Sequence, residues 1–100
     1  MNDANTKEIK LEIQLDEEMA QGVYANLAVV NHSDTEFVLD FIFVQPQAPR
    51  AKVRSRVITS PSHAKRMLLA LQENVARYEK MFGAIEPAMQ RVDEAEGHYH

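Results

Sequence analysis

The sequence predicts an α+β fold: a four-stranded antiparallel β-meander followed by one long amphipathic α-helix packed on one face. Three observations carry this. Up to Thr59 the chain is cut by turn residues into short segments in which apolar side chains recur every second position, the period of a strand. From Ser60 to Gly83 the period changes to steps of three and four, the period of a helix. The connections between the later strands are short, which makes neighbours in sequence antiparallel neighbours in space.

Ile9, Leu11, Ile13 and Leu15 alternate with Lys10, Glu12 and Gln14, so the first strand is half-buried. Asp16–Gly22 is acidic and ends in glycine, a loop or a single helical turn. Val23–Val30 is the second strand, with Val23, Ala25, Leu27 and Val29 on one face and Tyr24, Asn26, Ala28 and Val30 on the other. Asn31–Asp34 has the composition of a turn. Glu36–Val44 is the third strand. Phe37, Leu39, Phe41 and Phe43 share one face, and Val38, Asp40, Ile42 and Val44 the other. A strand apolar on both sides is central and covered twice. Pro46 and Pro49 place Gln45–Arg50 in a loop. Ala51–Thr59 is the fourth strand, with Val53, Ser55 and Val57 set against Lys52, Arg54, Arg56 and Ile58.

The helix has both ends written into it. Ser60 can accept hydrogen bonds from free N–H groups, Pro61 needs no donor in the first turn, and Gly83 can take the left-handed conformation that closes a helix. Ala64, Met67, Leu68, Leu71, Val75, Tyr78 and Phe82 form one stripe. That stripe is expected to cover the Phe37 face of the sheet. Val38, Ile42, Val44 and Ile58 are then left on the far face, where a second subunit is the simplest cover. Leu69 and Ala76 lie off the stripe and form a small second apolar patch, either a second contact or chance.

One hundred residues make one small domain, expected to span 8–85 between flexible termini at 1–7 and 86–100. The net charge of −4 disfavours general binding to nucleic acid or to an anionic membrane. Without cysteine there is no disulfide and no thiolate chemistry. The polar start and the lack of a long apolar run point to a cytoplasmic protein outside the membrane.

The candidate chemistry is a polar row. If Leu27 pairs with Leu39, Asn26 lies opposite Asp40, and strand parity then offers Asp40 either Arg54 or Arg56. Such a row reads first as an ion pair that fixes register or subunit pairing, since buried charges are kept only when paired. Its sharper reading is an anion or small-molecule site. Lys52, Arg54 and Arg56 are expected on one face of the fourth strand, either guarding an edge or forming a nucleic-acid strip. Glu94, His98 and His100 could be drawn as a metal cluster, but a tail supplies no supporting shell, so no metal and no cofactor is assigned. His32 and His63 have no serine–aspartate partner in a catalytic spacing.

Several strings together resemble a known family. They are Tyr24-Ala25-Asn26, Glu36 to Phe41 (EFVLDF), Ala51-Lys52-Val53, Ser55-Arg56-Val57, Ser60-Pro61, His63-Ala64-Lys65, Leu71, Asn74, Tyr78-Glu79 and Phe82-Gly83. Over residues 8–85 they resemble a small bacterial family described only as a domain of unknown function (number 3467). That resemblance implies no activity and no catalytic residue. A looser likeness, in element order alone, is to the SecB export chaperone, whose relatives assemble into oligomers and hold unfolded chains. The expectation is a non-enzymatic, homo-oligomeric protein-binding module, an adaptor or holdase, with an unidentified protein partner. The alternatives are a nucleic-acid-associated regulator and an anion or small-molecule binding module.

Overall fold

The computed structural model describes residues 9–87. The chain is α+β and forms two compact units, Met1–Thr59 and Ser60–His100. The termini expected to be flexible, 1–7 and nearly all of 86–100, lie outside the described residues.

The first unit holds a helical turn, α1 (Glu17–Ala20), and three strands, β1 (Leu27–His32), β2 (Phe37–Val44) and β3 (Ala51–Thr59). They form one antiparallel sheet in the order β1-β2-β3. The predicted first strand is corrected: among the described residues Ile9–Leu15 pairs with no strand, and the sheet has three strands where four were expected. Alternation marks a segment as amphipathic and says nothing about which edge receives it. The connector that would have to fold it back is taken up by α1, with Ala20 N–H donating to the Asp16 carbonyl at 2.8 Å. Gly22 then turns the chain at φ +71°, a value glycine adopts without strain.

The second predicted strand starts four residues late and ends two residues late, at Leu27–His32. Asn31 and His32 extend β1 instead of turning it, and the ring of His32 stacks on Phe37 across the pair at 5.2 Å. The reversal is made by Ser33. Its N–H donates to the Glu36 carbonyl, and its Oγ accepts from the N–H groups of Thr35 and Glu36 at 3.2 Å. β2 and β3 run as the sequence predicts, within one residue. The proline loop between them closes with Gln45 N–H donating to the Arg50 carbonyl.

β2 is central and contributes the buried residues Leu39, Asp40 and Ile42. A bulge in β3 falls opposite the Phe41–Ile42 step. Ser55 pairs with Phe41 and Val53 with Ile42, which leaves Arg54 as the extra residue.

The second unit holds α2 (Pro61–Phe82). Both ends fall where the sequence reading puts them, but Gly83 stands at φ 102° and ψ 166°, an extended positive-φ conformation in place of the left-handed helical one expected. Ser60 Oγ accepts from the His63 N–H at 3.2 Å, Pro61 opens the helix, and Gly83 closes it at φ +102° with its N–H on the Glu79 carbonyl. The Glu79 carboxylate reaches past the end to accept from Ile85 N–H at 2.9 Å. Along the outside, Arg77 donates to Glu73 one turn back at 3.0 Å. α2 has no buried residue. No described helix is long and apolar enough to cross a membrane.

Candidate functional site

The centre of the sheet carries the charge. Asp40 stands in the middle of β2 with 1% of its surface exposed. Directly across on β3 is Arg56. Its Nε donates to Oδ1 at 2.7 Å and its Nη2 to Oδ2 at 2.8 Å. This is the two-toothed guanidinium–carboxylate geometry, the strongest form of the ion pair. It meets the condition for keeping a carboxylate out of water. Strand parity left Arg54 and Arg56 open; the bulge at Arg54 gives the place to Arg56.

Asn26 is not in this row, and the expected pairing of Leu27 with Leu39 is corrected. Leu27 pairs with Ile42, which sets Val29 opposite Asp40. The difference of three positions in β2 exchanges the faces of β1. Leu27 and Val29 share the Asp40 side, while Ala28, Val30 and His32 share the Phe37 side. The cause lies at the strand's start. Asn26 Nδ2 donates to the Val44 carbonyl at 3.0 Å, and its Oδ1 accepts from the Val44 N–H at 2.8 Å. Its own N–H donates to the Ile42 carbonyl at 3.0 Å. The side-chain amide thus copies a strand residue and fixes where β1 begins. The signal available in sequence was only an asparagine ahead of an apolar run. Val44 lies four residues from Asp40, about 13 Å along a strand, so Asn26, Asp40 and Arg56 do not converge on one ligand.

The basic strip is also corrected. Lys52 pairs with Phe43 and Arg56 with Asp40. Phe43 and Asp40 point to opposite faces of β2, so Lys52 and Arg56 do too, with Arg54 at the bulge between them. The expected single row of three cations is divided by the extra residue.

The apolar candidates separate by exposure. Ile42 is buried within one chain at 4% exposure, so it belongs to the core rather than to a contact surface. Val38 and Val44 are half-buried, Ile58 pairs with Val38 and is exposed, and Leu69 on α2 is exposed. Tyr24 packs its ring edge-on to Phe43 at 6.2 Å, a contact the strand pattern did not foresee. Among the described residues no group of three His, Cys, Asp or Glu could hold a metal ion. The Glu94, His98 and His100 cluster lies outside them.

What the site offers is thus an occupied ion pair inside a small sheet, with apolar side chains exposed on the elements around it. The chain matches the family described as "Protein of unknown function (DUF3467)" over residues 1–87. It belongs to that family. No curated protein and no solved structure matches it. The likeness to SecB is not carried by these comparisons and rests on element order, with three paired strands of the four it invoked. The match spans the sheet with its Asp40–Arg56 pair and the whole of α2.

Proposed function

We propose that the chain is a non-enzymatic, self-associating protein-binding module, an adaptor or holdase, whose apolar helix and sheet surfaces are covered only in an assembly. The observation that carries this is the stripe of α2. Met67, Leu68, Leu71, Val75, Tyr78 and Phe82 are all exposed, on a helix without a buried residue. A contiguous apolar surface of this kind marks a contact site in a protein that stays in solution. In the assembly α2 lies on the Phe37, Leu39, Phe41 and Phe43 face of a sheet, its own or that of a second copy. The far face, with Val38, Val44 and Ile58, makes a second contact.

Asp40 supports a structural role over a catalytic one, because both of its oxygens accept from Arg56. The regulator of nucleic acid loses its main support in the divided basic strip, and the anion-binding module loses its in the separation of Asn26 from Arg56. Sedimentation across a concentration series tests the reading, together with suppression of aggregation of an unfolded model protein. Self-association with suppression is the expected result. A chain that stays monomeric at tens of micromolar and suppresses nothing overturns it.

A further inference from the structure

The missing strand and a free edge match each other. Ile9, Leu11, Ile13 and Leu15 keep the alternation of a strand, pair with no described strand, and are 67–85% exposed. On the sheet, β3 is an edge. It carries Lys52, Arg54 and Arg56 and follows Arg50. Two β3 edges meeting each other would set cation against cation, which opposes pairing. The segment around Ile9–Leu15 has the opposite balance, with Glu12, Asp16, Glu17 and Glu18 against Lys10. The other edge, β1, has the sequence LAVVNH and offers neither acid nor lysine or arginine as a complement.

We infer that Ile9–Leu15 of one copy adds to β3 of a second copy as its fourth strand, and that the exchange is reciprocal. This rests on the reading that the chain associates with itself, and it names the contact. Within one copy the segment leads through α1 into β1, the edge opposite β3, so reaching its own β3 would require a crossover of the sheet. Two copies need no crossover, and a reciprocal exchange satisfies both free edges with one two-fold operation.

An antiparallel register with Leu11 opposite Val57 makes the faces agree. Ile9, Leu11 and Ile13 then stand beside Thr59, Val57 and Ser55, on the side of the sheet that carries Phe37, Leu39 and Phe41. On the other side Glu12 stands beside Arg56 and Lys10 beside Ile58. A shift of one residue would put the apolar set on the Asp40 side and Glu12 among the phenylalanines, so the pattern selects the faces. Shifts of two residues keep them, and Glu12 beside Arg56 favours Leu11 opposite Val57 among these.

The chain has no cysteine, so introduced ones report cleanly. Leu11→Cys is combined in turn with Ser55→Cys, Val57→Cys and Thr59→Cys, oxidised mildly and run without reductant. The expected result is a chain-to-chain link, strongest with Val57→Cys, because only direct cross-strand neighbours come within disulfide range. A link within one chain overturns the exchange. So does the absence of any link in all three double-cysteine variants while the wild-type chain sediments as an oligomer, and that outcome leaves self-association standing. A wild-type chain monomeric at tens of micromolar removes both. A second variant, Leu11→Lys with Ile13→Lys, tests the same contact without chemistry. With helix content unchanged by circular dichroism, its dimer dissociation constant should rise by about tenfold or more. An unchanged constant overturns the proposal.

Discussion

β2 and α2 both repeat apolar residues in a regular period, yet only β2 buries any. Leu39, Asp40 and Ile42 of β2 are buried, and no residue of α2 is. The difference follows from where each element finds its hydrogen bonds. A helix closes its bonds within itself, and α2 needs from outside only what Ser60, Pro61 and Gly83 supply at its ends. A strand closes its bonds on its neighbours, so β2 could not form without β1 on one side and β3 on the other. Pairing on both sides brings side chains together and burial comes with it. In the helix, formation and burial are separate events, and the second is left to whatever covers the stripe.

The largest effect expected in this comparison lies in β2's ion pair, and it is asymmetric. Arg56→Ala leaves a carboxylate at 1% exposure without its guanidinium, a loss of about 3–5 kcal/mol by the usual cost of such a break. Asp40→Ala leaves a guanidinium whose side chain is already 43% exposed and can turn to water, and should cost about 1–2 kcal/mol less. Denaturant unfolding measures both. Because Asp40 is buried within one chain, the losses should appear at every protein concentration. Equal losses, or losses seen only under assembling conditions, would show that the pair is held by a contact between copies.

Next comes the start of β1. Asn26→Ala removes both bonds to Val44 and should cost about 1–2 kcal/mol. Amide exchange at Val44 should speed up while exchange at Leu39 changes little. A slowed or unchanged Val44 amide would mean that the asparagine does not set the register.

The helix should answer weakly and locally. Ser60→Ala removes the cap on His63 N–H and should cost about 1 kcal/mol, read as fraying of the first turn by helical circular dichroism. Leu71, at 62% exposure, is the sharper probe. Leu71→Ala should cost under about 1 kcal/mol in dilute solution, as an exposed change does, and approach the 2–5 kcal/mol of a core truncation once the chain assembles. A full core-like loss at the highest dilution would place Leu71 in the interior of a single copy. Glu73→Ala, which loses only the exposed bridge to Arg77, should stay within about 0.5 kcal/mol under both conditions.

The sequence by itself determined the elements whose physics is local. α2 was legible to the residue, because its cap, its proline and its glycine act within one turn of where they stand. β2 and β3 were legible because a dense apolar run and a proline-marked loop bound them. The pairing of Asp40 with an arginine of β3 followed from the cost of a lone buried charge. Only the tertiary structure decided between Arg54 and Arg56, since one inserted residue at the bulge reverses which side chains share a face. It also decided the register of β1, where Asn26 clasps Val44, eighteen positions away in the chain. And it left Ile9–Leu15 out of the sheet, although its alternation is as regular as that of any strand. A period tells a segment which side must be covered. The identity of the cover is a matter of free edges and charges elsewhere, and those are properties of the folded chain.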